Sequence, residues 1–481
     1  MTKKSALNLL NVNRNVVTFI LCALTIFSNS QNWKPITNTH PNQFLSKIIA
    51  DSLHNEILIS HYQFTNISTL KTRGVASWNG VKWDSLGGGI NSFDKYLNPS
   101  NPNGIINCGI PYNGKFLVGG QFNSIGNIGV RSLALWDGIK WDSLLVSPMP
   151  FGSGPNAPSI YALLKKGNKL YIAGGFDTIA GQSCTGLAFF DGTSYTPIKL
   201  PVNSFVFNFD IKEFQNEIYV CGRFTNINGS NPLNNILKFD GTNWVSVGGG
   251  IKGNIAEAIT MAVYNNELYV GGEFKKSAGN VGENIMKWDG TQWHDVGFGL
   301  EPTWGGVRKL IIHKNKLWAF GEFQMASYMQ ANGAAVFDGV KWCTLRDTLD
   351  DFIWGATVYN DSIYVCGSFK SQQGDTMINH VAKLYDDNLF RTCNGVGVEE
   401  YQNEFYIKIL PNPASTVLHI KTDLYFDEAT KIEITNSLGQ VVLRLNYNKV
   451  IDVSNLSSGC YFIKIESPYR QRFHSKFIKS D

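Results

Sequence analysis

Charge of one sign is what this 481-residue chain lacks most plainly: 42 Lys and Arg stand against 38 Asp and Glu, a formal net charge of +4. Without a strong basic excess, no strong electrostatic pull toward nucleic acid or an anionic membrane is implied, and a dedicated nucleic-acid binder is not expected. Cysteine is also scarce, with eight residues, no CxxC pair and no zinc spacing. Neither a disulfide framework nor a structural zinc is therefore expected to hold the fold. After the first thirty residues no apolar run reaches the roughly 20 residues that a membrane helix needs, so no transmembrane segment is expected beyond the N-terminus.

Local catalytic signatures are missing as well. There is no HExxH, no G-x-S-x-G, no P-loop and no Asp-rich calcium loop, and the eight histidines are scattered. A site assembled from distant segments leaves no such trace, so an enzyme is disfavoured without being excluded. No cofactor, metal site or catalytic set is assigned. What the chain does have is 47 glycines, 12 Trp, 19 Tyr and 30 Phe. With recurrent β-branched residues, that mixture indicates short strands joined by tight turns, an all-β protein.

The two ends differ from the middle. Lys3, Lys4 and Arg14 precede an apolar run from Val16 to Phe27 and then Ser28-Asn29-Ser30, the pattern of a secretory signal peptide over residues 1–30. At the other end, Leu410-Pro411-Asn412-Pro413-Ala414, Asn436-Ser437-Leu438-Gly439-Gln440, Ser457-Ser458-Gly459-Cys460-Tyr461-Phe462 and Lys476-Phe477-Ile478-Lys479 follow one another with strand-like alternation between them. The segments Leu418 to Lys421, Lys431 to Thr435 and Tyr461 to Ile465 read as strands, and the Leu-Gly and Ser-Gly steps as turns. A small antiparallel β-sandwich over 406–481 is expected, after a linker at 396–405. In their order and spacing these motifs resemble the C-terminal sorting domain of type IX secretion cargo in Bacteroidota. That resemblance implies the type IX machinery as partner and a secreted or outer cell-surface destination.

Residues 31–395 repeat. The clearest unit, Met261 to Val296, recurs with its second segment ending at Phe64, Phe122, Phe176, Phe224, Phe274, Phe323 and Phe369. Each copy carries a turn followed by an aromatic: Asn79-Gly80 with Trp83, Asp137-Gly138 with Trp141, Asp191-Gly192 with Tyr195, Asp240-Gly241 with Trp244, Asp289-Gly290 with Trp293, and Asp338-Gly339 with Trp342. A degenerate Asp386-Asp387 with Phe390 completes seven copies at a period near 49 residues. Each unit reads as four strands, in the clearest copy Ile259 to Tyr264, Glu267 to Phe274, Asn284 to Trp288 and Gln292 to Val296. Two-residue turns at Asn265-Asn266 and Asp289-Gly290 are expected to join them in pairs. Such a period with four strands per unit indicates a seven-bladed β-propeller. The Gly doublet and the aromatic-Asp-Gly before Trp resemble kelch-type propellers and the repeats of the fungal cortical cell-polarity marker. The resemblance concerns fold. Because the Asp-Gly turn lacks the spacing of the sialidase Asp box, no sialidase activity is implied. Asn32-Trp33-Lys34-Pro35-Ile36 resembles a fourth strand, so the N-terminus is a candidate to complete the last blade in place of Asn388 to Thr392.

Alternating strands put the short turns on one face and the longer connections on the other. Long connections on a rigid scaffold are the usual seat of binding. Aromatic residues there, Phe93, Tyr96, Phe151, Phe298, Trp304 and Tyr328, can stack on sugars or peptides; Trp304, Tyr96, Phe151 and Tyr328 are the candidate ligand-binding residues. The regularly placed Trp83, Trp141, Trp244, Trp293 and Trp342 are expected to pack instead. Cys221 and Cys366 hold the same repeat position and are expected to be small buried residues. The sequence thus supports a binding propeller recognising glycan or protein through its long-loop face, or alternatively a polysaccharide-processing enzyme with a site in the central channel.

Overall fold

The computed structural model describes residues 33–37, 40–91, 103–144, 158–201, 207–224, 234–253, 256–301, 305–327, 329–345, 347–372, 378–385, 407–422, 426, 430–466 and 472–480. Among them, the repeat region forms seven four-stranded antiparallel sheets. The inner strands are Lys47–Asp51, Ile105–Tyr112, Ser159–Lys166, Phe207–Phe214, Glu257–Tyr264, Val307–His313 and Ile353–Tyr359. Each packs against the next, and Ile353–Tyr359 packs against Lys47–Asp51. The sheets are therefore the blades of a closed β-propeller, numbered here from the one that begins at Lys47. An apolar cluster fills each of the seven gaps between neighbouring blades. Burial on both faces explains why the second strands, such as Leu268 to Gly272, are buried without alternation.

The ring closes through the N-terminus. Trp33–Pro35 pairs antiparallel with Val381–Leu384 and becomes the fourth strand of blade seven. Trp33 is fully buried among Trp318, Val365 and Leu384. The rival segment, Asn388 to Thr392, lies outside the described residues.

The turns follow the expected pairing with one correction. Asn265 and Asn266 both have positive φ, 49° and 59°, and form the two-residue hairpin between Tyr264 and Glu267. The Asp-Gly loop is longer, because Trp288 pairs with Trp293 and leaves four residues between them. Its Asp289 carboxylate accepts the backbone N–H groups of Thr291 and Gln292 at 2.7 and 2.8 Å. An Asx turn rather than a two-residue hairpin thus explains the repeated Asp.

The repeated Trp residues bolt blade to blade. The indole N–H groups of Trp141, Trp293 and Trp342 donate to the carbonyls of Leu86, Val247 and Val296 in the preceding blade at 3.0, 3.0 and 3.1 Å. Cys221 and Cys366 are buried, free and part of the inter-blade clusters. Cys343 is disulfide-bonded, its partner lying outside the described residues.

The C-terminal segment forms two further sheets, one of Ile407–Leu410, Val417–Thr422 and Val450–Asp452, the other of Val441–Asn446, Lys431–Asn436, Gly459–Glu466 and Arg472–Lys479. Leu418, Ile434, Ile463 and Phe477 are buried between them. This is the expected sandwich. Gly439 makes the Leu-Gly turn with φ 78°, whereas Gly459 begins a strand directly. Among the described residues, no helix is long and apolar enough to cross a membrane.

Candidate functional site

Tyr96, Phe151, Trp304 and Tyr328, together with Phe93, lie outside the described residues; Phe298 is described and 41% exposed. The described residues instead bring chemistry together at the axis. All seven inner strands line a central channel enclosing about 680 Å³.

A repeated backbone irregularity shapes this channel. In six blades the inner strand carries a β-bulge, so that one extra residue stands opposite the step into a shared glycine of the second strand, Gly120, Gly174, Gly222, Gly272, Gly321 or Gly367. In blade five, Ala258 pairs with Gly272 and Thr260 with Gly271, leaving Ile259 over. A Cβ on Gly272 would collide with the Glu257 carbonyl oxygen, and one on Gly222 with that of Phe207. The glycine at this position is thus required by the bulge, whether or not another glycine precedes it. The bulged residues Asn107, Tyr161, Phe209, Ile259, Arg308 and Trp354 all line the channel. Blade one lacks the bulge, pairing without a shift from Lys47 with Ser60 to Asp51 with Glu56.

The bulges lie near the start of the inner strands, which is the long-loop end of the channel. Aromatic rings gather there. Phe207 and Phe209 stack at 6.2 Å between centroids, and Tyr161 meets Phe209 edge-on at 5.4 Å. Across the ring, Phe352 and Trp354 meet edge-on at 6.5 Å, and the Trp354 indole donates to Ser368 Oγ at 2.7 Å. The Arg308 guanidinium lies 5.2 Å from the Trp354 ring centroid, a cation–π contact. These rings are half-buried, so part of each remains available to a ligand.

Charged groups complete the mouth. Arg223 pairs with Glu257 at 3.2 Å, while Arg308 binds Glu322 and approaches Glu273 at 3.9 Å. Arg223, Glu273 and Glu322 each occupy the variable place between glycine and Phe in the repeat. Burial pushes the Glu257 carboxyl up, and neighbouring Glu273 adds to this while Arg223 and Arg308 oppose it. Tyr161 is also raised, first by burial and further by the Glu257 charge.

Deeper in the channel, one residue from each blade forms a layer just past the bulges: Lys47, Cys108, Ala162, Asp210, Thr260, Lys309 and Gly355. Their common register is shown by their partners on the second strands, Ser60, Gly119, Ala173, Cys221, Gly271, Phe320 and Cys366. Two of them tie blades together: Asp210 Oδ2 accepts Met261 N–H at 2.8 Å and Thr260 Oγ1 accepts Leu310 N–H at 3.2 Å. Sequence reasoning missed both mouth and layer. The available signal was the variable residue of the Gly-x-Phe motif and its cross-strand partner, read blade by blade.

A separate His/carboxylate group, Asp51, His54 and Glu56, has ligand atoms within 4.8 Å of one another. Asp51 is already engaged, accepting Leu53 N–H at 2.9 Å and pairing with His54 Nδ1 at 2.6 Å. This arrangement closes the first turn of blade one.

Among solved structures, the chain is similar to two extracellular domains assigned to hybrid two-component systems of B. thetaiotaomicron. One is 10% identical with a TM-score of 0.45, covering 91% of this chain and 55% of that one; the other is 12% identical with a TM-score of 0.43, covering 92% and 53%. A luciferin-regenerating enzyme matches at 11% identity and a TM-score of 0.32 over 74% of this chain and 96% of that one. The chain thus spans about half the length of the two extracellular domains, and likeness at this level bears on neither ligand nor activity. No curated protein matches the sequence. Residues 408–480 match the family described as the secretion system C-terminal sorting domain, which makes this a type IX secretion cargo of secreted or outer cell-surface location.

Proposed function

We propose that the protein is an extracellular binding propeller that takes a glycan into the long-loop end of its central channel. The observation that carries this reading is the gathering of Tyr161, Phe207, Phe209, Phe352 and Trp354 at that mouth, interleaved with arginine–glutamate pairs. Half-buried rings offer flat apolar surface for sugar faces at small entropic cost, and charge-assisted donors and acceptors can read hydroxyl groups. The long-loop candidates read from the sequence, Trp304, Tyr96, Phe151 and Tyr328, would extend the contact. A glycan array on the purified chain tests the reading. Binding should be lost, or weakened at least about tenfold, in a Tyr161→Ala/Trp354→Ala variant, since a stacking ring contributes on the order of 1–2 kcal/mol. Unchanged binding in that variant would place the ligand elsewhere.

A second reading, a polysaccharide-processing enzyme, is favoured by one feature. Glu257 and Glu273 are cross-strand partners, and Glu257 is held toward its protonated form by burial and by that neighbour, as a general acid requires. A hydrolysis screen with wild type and Glu257→Gln separates the two. Turnover abolished by Glu257→Gln would establish the enzyme, and binding without turnover would establish the receptor.

A further inference from the structure

The layer beneath the aromatic mouth is unbalanced in charge. Lys47 of blade one and Lys309 of blade six both line the channel at the same register. Among the described residues neither ammonium group forms an ion pair or a hydrogen bond, although fifteen ion pairs are formed elsewhere by lysines, arginines and histidines. The layer's single carboxylate, Asp210, is already occupied: it accepts the N–H groups of Met261 and Ile211, each at 2.8 Å, and pairs with Lys212 at 3.2 Å. Thr260 uses its oxygen as an acceptor for Leu310 N–H, which leaves its hydroxyl hydrogen to donate. The layer therefore presents donors and positive charge to the channel, with its acceptors spent.

We infer that the channel selects anionic glycans, a sugar-borne carboxylate or sulfate descending past the aromatic mouth to sit between Lys47 and Lys309. The inference rests on the glycan reading above and adds the charge of the ligand. Two ammonium groups in one confined layer repel each other and are poorly hydrated, and an anion bridging them relieves both costs. The groups facing them are consistent with this. Burial first, then Lys309, holds the Lys47 ammonium below its ordinary range, with Arg308 acting the same way and the Cys366 and Cys108 sulfurs opposing. Lys309 is lowered first by burial and further by Lys212, with Asp210 and Cys108 opposing. At the mouth, Glu257 and Glu322 are each paired with an arginine, so the entrance does not repel an anion strongly. A neutral glycan would satisfy the rings but leave both lysines unpaired.

The test is titration calorimetry on the full chain with three oligosaccharides of matched length: a polyuronate fragment, a sulfated one, and the carboxyl-reduced neutral counterpart of the first. Wild type should bind an acidic form at least tenfold more tightly than the neutral one. Lys47→Met/Lys309→Met should lose that preference while keeping neutral affinity, and Lys47→Arg/Lys309→Arg should retain it. Equal affinity of wild type for acidic and neutral forms, or an acidic preference surviving the double Met variant, would overturn the inference. Preference for the uronate or for the sulfate identifies which anion is read. Inorganic sulfate serves as a probe independent of any sugar: it should raise the melting temperature of wild type but not of the double Met variant. If no sugar binds and sulfate still stabilises only wild type, the anion layer stands and the glycan reading falls. If sulfate stabilises neither protein, or if peptides with a free C-terminal carboxylate bind in place of sugars, the anionic-glycan assignment is wrong.

Discussion

Gly272 lies directly against the carbonyl oxygen of Glu257, so closely that no side chain fits between them. The contact exists because the inner strand bulges at Ile259 and pushes its backbone toward the second strand. Gly272→Ala must therefore flatten the bulge or displace the strand, and should cost about 2–4 kcal/mol in urea unfolding. Gly192 provides the contrast. It has φ +104° with nothing near the position of a Cβ, so Gly192→Ala meets only backbone strain, on the order of 1–2 kcal/mol. An equal or smaller cost at Gly272 would show that the bulge is not what this glycine serves.

Closure of the ring by Trp33 gives a second expectation. Its side chain is fully buried, and its backbone N–H donates to Gln372 Oε1 at 3.1 Å. The segment just after its strand also receives blade one, since Trp83 Nε1 donates to Thr37 Oγ1 at 3.4 Å. Trp33→Ala should lower stability by roughly 3–5 kcal/mol, as for other large core truncations, while Lys34→Ala, on the same strand but exposed, should lose only its cation–π contact with Tyr385 and change it by about 1 kcal/mol or less. A cost below about 1 kcal/mol for Trp33→Ala would mean that the N-terminal strand is not needed to hold the ring.

Blade one carries a pH dependence of its own. His61 stands where the other blades have the glycine that faces the bulge, with its ring against Phe44 and Tyr62 at 4.2 and 4.1 Å and its Nδ1 3.1 Å from Ser46 Oγ. Burial lowers its imidazole from 6.5 to about 4. In the window between those values the unfolded chain binds the proton and the folded chain does not, so stability rises with pH. The contribution is complete above about pH 6.5 and is lost as pH falls toward 4, by up to roughly 3 kcal/mol. Urea midpoints at pH 7 and pH 5 should differ in wild type and differ less in His61→Gln. Parallel pH profiles for the two would remove His61 from this role.

Much of this architecture was legible because the repeat multiplies each weak local signal by seven. Asp289 with Gly290 and Trp293 says little alone, yet the same triplet in successive copies fixes a turn, a strand pair and an inter-blade bolt. The bulge was not legible, since one extra residue in Glu257–Tyr264 leaves the length and apolar content of the strand unchanged; only the pairing of Gly272 with Ala258 exposes it. The mouth was hidden for the opposite reason. Arg223, Glu273, Glu322, Lys47 and Lys309 are non-repeating residues at repeating positions, and a search for similarity discards them as variation. Loop aromatics attracted attention because they stand out from the repeat, whereas Tyr161 and Trp354 are embedded in strands that read as core.

The tail provides a prediction in which folding and export come apart. Each of the seven inter-blade clusters is built from blade residues and the closing Trp33, while the sandwich has its own core around Leu418, Ile434, Ile463 and Phe477, against which Met329 of the propeller also packs. Deleting Tyr406 to Asp481 should therefore leave the unfolding midpoint of the propeller nearly unchanged, yet trap the protein in the periplasm because the type IX machinery has nothing to engage. Ile434→Asp should act similarly by placing an unpaired charge in the sandwich core, a change costing several kcal/mol, while leaving the blades intact. Fractionation followed by protease shaving of intact cells distinguishes the outcomes. Normal surface delivery of the truncated chain would refute the sorting role, and a truncated chain that fails to fold would show that the propeller depends on the sandwich for more than its route out of the cell.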